Sequence, residues 1–379
     1  MYSQANKPGK AAGKPVVREW DVMSSDKKEK IHTISIDPDT TIMESLKTMD
    51  ALAVRLLLVM KGTSFKGVLS IGDIQRAIIK NVTLDTPIYN ILRKEISVAY
   101  LGEDFEKTKK DMLLNKTECM PVLDQEHNLV DVLFWDELFS EKRRRPQSLK
   151  LPIIVMAGGK GSRLAPLTNI LPKALIPIGK KPIIEHIMDR FVSSGCAKFH
   201  ISVNYKSEMI KHYFQTLGRK DLNISYFEEE KPLGTAGSLF LLKDKIHQTF
   251  FMVNCDIIID EDYGNILDYH KKNKNQITIV AALKHYRIPY GIIKTRENGL
   301  LTELEEKPEL MFKINSGMYI LEPELLKEIP ENQFFHITDL IEKVRKKNGR
   351  IGVFPISEKS WRDIGEWDEY LSNKDLDFS

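Results

Sequence analysis

The stretch Ile153-Ile154-Val155-Met156-Ala157-Gly158-Gly159-Lys160-Gly161-Ser162-Arg163-Leu164, followed by Pro172-Lys173, decides the fold of this chain. Its first four residues have the pattern of a buried strand, and a glycine-rich turn follows directly. Glycine lets the backbone approach a ligand and adopt the dihedral angles of a tight loop. Successive exposed N–H groups in such a loop form a concave anion site, to which Arg163 and Lys173 add positive charge. The stretch therefore predicts a loop that holds the phosphates of a nucleoside triphosphate after the first strand of an α/β domain.

Two common phosphate loops do not fit this stretch. A P-loop requires Gly-Lys-Ser/Thr in succession, whereas Lys160 is followed by Gly161. A dinucleotide-binding loop requires G-x-G-x-x-G and an acidic ribose-binding residue about twenty positions further on, which this sequence lacks. An ordinary strand-to-helix turn would explain Gly158-Gly159 alone, but the attached Arg163 and Pro172-Lys173 disfavour it.

The pattern beyond residue 150 alternates between strand-like and helix-like runs. Phe199-His200-Ile201-Ser202-Val203 and Phe250-Phe251-Met252-Val253 are typical of buried strands, and helix-like runs such as 207–217 lie between such segments. This alternation indicates an α/β domain with a largely parallel sheet. Ligands bind such sheets at the carboxyl ends of the strands. Gly158 and Asp256 both directly follow predicted strands, as that rule requires.

Residues 158–187, GGKGSRLAPLTNILPKALIPIGKKPIIEHI, resemble the signature of sugar-phosphate nucleotidyltransferases, also called nucleoside-diphosphate-sugar pyrophosphorylases. Further segments match motifs of that family in the family's order: 230–237, 253–256, 290–291, 306–308, 315–317 and 361–365. The resemblance implies a Rossmann-like nucleotidyltransferase domain with a mixed, mostly parallel sheet over residues 151–379. It also implies transfer of a nucleotidyl group from a nucleoside triphosphate to a sugar-1-phosphate, with Mg²⁺ as cofactor.

The same resemblance implies roles for individual residues. It makes Arg163, Lys173, Asp256 and Asp363 catalytic, with Asp256 and Asp363 holding the metal. It assigns the nucleotide to Ala157, Gly158, Gly159, Gly161, Ser162, Gly234, Thr235 and Ala236. It assigns the sugar phosphate to Gly291, Glu306, Lys307 and Asn315. The alternatives are a helix N-cap at Asp256 and a surface turn at 306–308.

One residue departs from the family's pattern. Cys255 stands where the family usually has glycine, directly before the metal-binding aspartate. A larger side chain there is expected to narrow the pocket or to shift the backbone, which makes the choice of substrate harder to predict than metal binding.

Residues 22–140 contain a weak internal repeat with a spacing of about sixty residues, which is typical of two supersecondary units that bury their sheets together. The first copy includes a helix with Ile42, Leu46, Met49 and Ala53 on one face, and both copies contain a pair of apolar strands. The repeat resembles a tandem pair of cystathionine-β-synthase-type (CBS) domains. The resemblance implies an adenine-nucleotide site at Ser70 and Asp73. The second copy lacks the hydroxyl, since Phe134-Trp135-Asp136-Glu137 occupies that region.

A packing or dimerisation module without a ligand is the alternative for this pair, and at least a dimer is expected because such pairs commonly associate. Residues 1–21 are predicted to be a flexible leader and residues 141–150 a linker between the two domains.

The composition excludes several classes of function. The net charge of +3 gives no argument for nucleic-acid binding, and no apolar run is long enough for a membrane span or a signal peptide. The three cysteines are widely spaced and predict reduced thiols in a cytoplasmic protein.

The motif 233–237 is similar to that of guanylyltransferases, and the fused CBS pair resembles enzymes of bacterial legionaminic acid synthesis. The leading interpretation is therefore transfer from GTP to glucosamine-1-phosphate. The alternatives are a mannose-1-phosphate guanylyltransferase, a glucose-1-phosphate thymidylyltransferase, or a non-catalytic regulatory protein that senses adenine nucleotides.

Overall fold

The computed structural model describes residues 25–115, 117–138 and 148–373. The chain divides into two compact units. Of the described residues, the first unit contains 25–41, Val54–Ser70, 87–115 and 117–138, and the second contains Ile42–Ala53, Ile71–Thr86 and 148–373. The predicted leader and residues 141–147 of the predicted linker lie outside the described residues.

The N-terminal third of the chain contains two successive strand–helix–hairpin segments. Its elements are α1 (Ser25–Thr33), β1 (Ser35–Ile36), α2 (Ile42–Leu52), β2 (Leu56–Lys61), β3 (Ser64–Ser70), α3 (Ile71–Ile79), β4 (Ala99–Tyr100), α4 (Phe105–Asn115), β5 (Cys119–Leu123), β6 (Leu129–Phe134) and α5 (Trp135–Leu138). In the first unit β1 pairs parallel to β2 and β3 antiparallel to it. The strands β4, β5 and β6 repeat this arrangement. The internal repeat predicted from the sequence is therefore present in the strand pairing.

The helix α2 follows the predicted pattern except at its end. Ile42, Leu46 and Met49 are buried on one face. Ala53 was expected on the same face, and that prediction is wrong: it lies beyond the helix with φ +54° and is exposed. Residues with positive φ end helices, and periodicity alone does not show where that occurs.

The C-terminal part of the second unit alternates strands and helices. Its elements are β7 (Ile153–Met156), α6 (Leu167–Ile170), β8 (Pro177–Ile178), β9 (Lys181–Pro182), α7 (Ile183–Ser193), β10 (Lys198–Val203), α8 (Ser207–Leu217), β11 (Asn223–Glu228), β12 (Phe250–Asn254), β13 (Ile257–Ile259), α9 (Tyr263–Lys272), β14 (Ile277–Arg287), β15 (Ile292–Thr295), β16 (Leu301–Glu305), β17 (Glu309–Leu321), α10 (Ile337–Lys346), β18 (Ile351–Ser357), β19 (Trp361–Asp363) and α11 (Trp367–Asn373).

Seven of these strands form one sheet, in the order β11-β10-β7-β12-β17-β14-β18. Only β17 runs antiparallel to its neighbours. The sheet is therefore mixed and mostly parallel, as the sequence predicts. Two-stranded ladders β8-β9, β13-β19 and β15-β16 lie outside it.

Both faces of this sheet are buried, which is the environment that a continuous apolar strand requires. In β7, Ile153 and Val155 belong to one core cluster, while Ile154 belongs to another. The first cluster includes side chains of α7 and α9, and the second includes side chains of α10. Because β7 and β12 are adjacent parallel strands, the residues that follow them meet at one edge of the sheet.

The core between α7 and the sheet supports a first prediction. Phe191 is fully buried, with ring centroids 5.4 Å from Phe251 and 4.6 Å from Tyr263. Phe191→Ala is expected to lower the free energy of unfolding by about 3–5 kcal/mol, because a cavity replaces these contacts. Phe334→Ala is the control, since that ring is 63% exposed. Denaturant titration measures both, and equal losses in the two variants would contradict this description of the core.

All three cysteines are buried free thiols. Burial raises the pKa of Cys119 and of Cys255 to about 12.

Among the described residues, no helix has both the length and the apolar content needed to cross a membrane.

Candidate active site

The glycine-rich loop directly follows β7, as the sequence predicts. The Ala157 N–H donates to the Ser202 carbonyl oxygen at 3.1 Å and ties the start of the loop to β10. A Cβ on Gly159 would meet open space, so the backbone there is accessible to a ligand. Gly161 has φ +66°, and a Cβ there would lie 2.9 Å from Lys173 Cβ. Gly161 is thus required by the shape of the loop and its approach to Lys173, whereas Gly159 is where the loop is open.

The second predicted nucleotide loop, around Gly234, is bound to the start of α10. Gly234 has φ +79°, and a Cβ on it would lie 2.7 Å from the Phe335 carbonyl oxygen. The Ala236 N–H donates to the same oxygen at 3.0 Å. The Thr235 hydroxyl accepts a hydrogen bond from the Ile337 N–H at 3.0 Å. Thr235, predicted to bind the nucleotide, therefore also satisfies a free N–H in the first turn of α10.

A buried glutamate that sequence reasoning missed joins the two loops. Glu229 accepts hydrogen bonds from the Ser202 hydroxyl at 2.6 Å and from the Leu233 N–H at 3.0 Å. A Cβ on Gly158 would lie 3.0 Å from its Oε1 atom. Glu229 therefore fixes the spacing between the loop at Gly158 and the loop at Leu233. The run Glu228-Glu229-Glu230 contained no signal that its middle residue is buried.

Two carboxylates and a lysine converge at the sheet edge. Asp256 follows β12, and Asp363 is brought to it by β19, in which Asp363 pairs with Ile257. A Cβ on Gly365 would lie 2.7 Å from Asp363 Oδ1, 2.8 Å from Asp256 Oδ2 and 3.0 Å from Lys173 Nζ. Lys173 and Asp256 are both buried and form an ion pair. Three of the four groups predicted to be catalytic thus surround a single point, although they are far apart in the sequence.

The electrostatics of this cluster follow from its burial and its charges. Burial is the largest cause that raises the pKa of Asp363 above its ordinary value, and the nearby Asp256 carboxylate raises it further. The Gly365 N–H, Lys173 and Arg163 oppose that shift. The Gly365 N–H donates to Asp363 Oδ1 at 2.8 Å. Because the ionised Asp363 is disfavoured in the fold, an added cation between the two carboxylates would be stabilised there.

The helix-cap alternative for Asp256 is wrong, because β12 is followed by β13 and not by a helix. The preceding Cys255 belongs to the buried core cluster below the sheet edge. Its N–H donates to the Met156 carbonyl oxygen at 3.2 Å. The side chain in place of the family's usual glycine is therefore accommodated by the core.

Arg163 lies in the short 3₁₀ turn Ser162–Leu164, where Ser162 is also exposed. Its guanidinium donates to Glu366 Oε1 at 2.7 Å, and that hydrogen bond is the main reason that the pKa of Arg163 is raised. Asp363 and Asp256 add to the shift. In this arrangement Glu366 pairs with the Arg163 guanidinium, the group that is expected to bind the triphosphate.

Glu366→Gln is therefore expected to lower the KM for the nucleoside triphosphate. An exposed ion pair stabilises by up to about 1 kcal/mol, which corresponds to a fall in KM of up to about fivefold. Steady-state kinetics at fixed Mg²⁺ measures the effect. Glu331→Gln is the control at an exposed glutamate outside the site. A higher KM in Glu366→Gln would mean that Glu366 assists nucleotide binding instead of competing with it.

The predicted sugar-phosphate residues fall into two groups. Gly291, Glu306 and Lys307 are exposed at the base of the hairpin β15-β16, and a Cβ on Gly291 would lie 2.9 Å from Glu306 Oε2. Lys307 pairs with Glu306 at 3.7 Å. Within the part of the chain that the structure describes, no hydrogen bond or ion pair joins these three residues to Asp256 or Asp363.

Asn315 lies nearer the carboxylates. Its side chain accepts a hydrogen bond from the Gly317 N–H at 3.2 Å, and a Cβ on Gly317 would lie 2.8 Å from Asn254 Nδ2. The Trp361 ring N–H donates to the Ser316 carbonyl oxygen at 3.1 Å. This segment of β17 therefore contacts both β12, which precedes Asp256, and β19, which contains Asp363.

The acidic pair fits Mg²⁺ as a cofactor that shares its coordination with phosphate. Mg²⁺ at phosphate sites is held by one or two carboxylates, with phosphate oxygens and water completing the octahedron. Asp256 and Asp363 supply two such carboxylates around one point. In the described ranges there is no cluster of three or more His, Cys, Asp or Glu side chains that could hold a metal without a substrate.

Comparison with known protein families gives two matches. Residues 152–377 match the model described as nucleotidyl transferase, which is more than half of the chain. The chain belongs to the nucleotidyl transferase family. Residues 20–80 match the CBS domain model. The fold is therefore a mixed α/β nucleotidyltransferase fold with an N-terminal CBS domain, as the sequence predicts.

Several named relatives are similar in sequence to the nucleotidyl transferase region of this chain. Mannose-1-phosphate guanyltransferase of Schizosaccharomyces pombe is 31% identical over 58% of this chain and 62% of its own length. Mannose-1-phosphate guanyltransferase beta-B of Xenopus laevis is 32% identical with the same coverage. The chain thus spans about three fifths of the length of these relatives (62%).

Among solved structures, HddC from Yersinia pseudotuberculosis is similar, with a TM-score of 0.48 and 22% identity over 59% of this chain and 97% of that one. A putative glucose-1-phosphate thymidylyltransferase from Bacillus anthracis gives a TM-score of 0.48 with 20% identity, over 60% of this chain and 97% of that one.

Proposed function

We propose that this chain transfers a nucleotidyl group from GTP to a sugar-1-phosphate. The convergence of Asp256, Asp363 and Lys173 around one point beside the open glycine-rich loop carries the proposal. Family membership supports nucleotidyl transfer. The names of the Schizosaccharomyces and Xenopus relatives support GTP as donor.

The reaction requires positioning and charge stabilisation. A phosphate oxygen of the sugar-1-phosphate attacks the α-phosphorus, the bond from that phosphorus to the bridging oxygen breaks, and pyrophosphate leaves with the electron pair. The nucleophile is already an anion, so no general base is needed. The planar guanidinium group of Arg163 would bind paired phosphate oxygens. Lys173 offers a fixed positive charge near the transferred phosphate. Mg²⁺ held by Asp256 and Asp363 would neutralise charge on the phosphates.

For the acceptor, we propose glucosamine-1-phosphate as the leading candidate, by the resemblance of the CBS-fused arrangement to enzymes of legionaminic acid synthesis. Mannose-1-phosphate is the second candidate, and the names of the relatives favour it. Glucose-1-phosphate with TTP is the third.

Pyrophosphate release with Mg²⁺ tests the proposal over a grid of five nucleoside triphosphates and these three acceptors. We expect turnover with GTP and one acceptor, and turnover at least about 10²-fold slower in Asp363→Asn. If the folded protein released no pyrophosphate with any pair of substrates, the proposal would be contradicted and a non-catalytic nucleotide sensor would be favoured.

We also propose that the CBS domain binds an adenine nucleotide through Ser70 and Asp73. Asp73 is buried in the first turn of α3 and pairs with Arg76. Ser70 ends β3. Calorimetric titration with AMP and ATP tests this, and absence of heat with both would contradict it.

A further inference from the structure

The helix α2 belongs to the segment that matches the CBS domain, yet it lies in the same compact unit as the nucleotidyl transferase sheet. Lys47 on α2 forms an ion pair with Glu309, the first residue of β17. Glu309 directly follows the motif 306–308, which is predicted to hold the sugar phosphate. The helix α3 of the same unit packs against β18, and its Gln75 side chain donates to Glu261 Oε2 at 3.3 Å.

Asp50 lies one turn after Lys47 on α2, so the two side chains project from the same face of the helix. Asp50 lines a cavity of about 540 Å³ together with Lys284, Trp361 and Asp363. This volume is within the range of about 300–1,000 Å³ that small-molecule sites occupy. The cavity therefore reaches from the predicted metal ligand Asp363 to a carboxylate on α2.

The walls of this cavity combine an aromatic ring with charged groups. The Lys284 Nζ atom lies 5.6 Å from the centre of the Trp361 ring. Trp361 is held in place because its ring N–H donates to Ser316. Glu358 and Arg362 also line the cavity. An aromatic face beside polar groups suits a sugar ring, which has apolar faces and hydroxyl groups at its edge.

The surroundings of Asp50 show that its carboxylate is partly removed from water. Burial raises the pKa of Asp50, and His285 and Lys359 partly oppose that shift. The side chain of Ser357 provides one hydrogen bond. A carboxylate has about four acceptor positions, so Asp50 can accept further hydrogen bonds from a ligand in the cavity.

We propose that Asp50 is a specificity-determining residue of the acceptor site, and that it accepts a hydrogen bond from a hydroxyl or ammonium group on the sugar ring. The inference rests on the proposed function, since the sugar must lie beside Asp363 when its phosphate reaches the α-phosphorus. An ionised carboxylate accepts hydrogen bonds and donates none, so it selects a donor on the sugar. The helix α2 thereby completes the acceptor pocket.

The test uses Asp50→Asn and the matched control Asp85→Asn in the full chain. Asp85 is exposed in the same compact unit. For Asp50→Asn we expect the KM for the sugar-1-phosphate to rise by about ten- to a hundredfold, as for loss of a hydrogen bond to a charged group. The KM for GTP is expected to stay within about twofold, because Asp50 is proposed to contact the sugar ring and not the triphosphate. Asp85→Asn should match the wild type.

Two sugar-1-phosphates that differ at one ring position show whether an ammonium group or a hydroxyl group of the sugar donates the hydrogen bond to Asp50. If Asp50 binds an ammonium group, Asp50→Asn loses more kcat/KM with glucosamine-1-phosphate than with glucose-1-phosphate. If it binds a hydroxyl common to both sugars, the losses are equal. An unchanged acceptor KM in Asp50→Asn, or equal changes in both substrates' KM values, would overturn the inference while the wild-type activity upholds the proposed function. No turnover by the wild type would overturn both.

Discussion

Asp363→Asn is expected to lower kcat/KM for nucleotidyl transfer by at least about 10²-fold, the size of effect seen when one group that stabilises transition-state charge is removed. The substitution keeps the shape of the side chain. It removes one of the two carboxylates that surround the position where a Cβ on Gly365 would lie. The remaining Asp256 is paired with Lys173 and offers Mg²⁺ a single carboxylate. Pyrophosphate release at saturating Mg²⁺ measures the loss.

The stability of this variant is expected to move in the opposite direction. The pKa of Asp363 is raised in the fold by burial and by Asp256, so its ionised form is destabilising above that pKa. A neutral asparagine removes this repulsion, and the Tm of Asp363→Asn at neutral pH should equal or exceed that of the wild type. Asp368→Asn, at an exposed position of α11, is the control. A large loss of Tm in Asp363→Asn would show that Asp363 has a structural role instead.

Gly365→Ala is the second change with a large expected effect. Its methyl group would occupy the point that lies 2.7 to 3.0 Å from Asp363, Asp256 and Lys173. The charged groups must move apart, and a phosphate or cation can no longer share their centre. We expect kcat to fall by about 10²-fold or more, since displacement of about 1 Å at a reacting centre has that cost.

The control for Gly365→Ala is Gly67→Ala, where the added methyl would make an ordinary contact with Leu92 at 3.4 Å. Kinetics and circular dichroism on both variants separate a blocked site from a misfolded one. Wild-type kcat in Gly365→Ala would contradict the placement of the reaction at this point.

The sheet and the first loop were predictable because their signals are local. The apolar run of β7, the glycines after it and the alternation of later segments each act within a few residues. Asp256 was predictable for the same reason, since a strand end next to a binding edge is visible in the sequence. Pairing Asp256 with Asp363 required the family resemblance, because β19 brings them together from a distance of many residues.

The parts that could not be predicted depend on tertiary contacts. Glu229 is buried by hydrogen bonds to Ser202 of β10 and to the loop residue Leu233, and its sequence neighbours give no indication of this burial. Thr235 matches a ligand-binding motif, yet its hydroxyl caps α10 about a hundred residues later in the chain. Asp50 belongs to a helix whose periodicity indicates only a buried face, and its position beside Trp361 appears only in the fold.

We propose that a nucleotidyl group is transferred to a sugar phosphate at the point between Asp256, Asp363 and Lys173. Incubation with GTP labelled at the α-phosphorus, Mg²⁺ and the active sugar-1-phosphate tests it most directly. We expect the label to enter a nucleotide sugar in amounts equal to the pyrophosphate released, and Asp363→Asn to form almost no labelled nucleotide sugar. Label that stays in GTP or appears as GMP would show that no nucleotidyl transfer to the sugar phosphate occurs. A fully active Asp363→Asn variant would show that the reaction does not depend on this carboxylate.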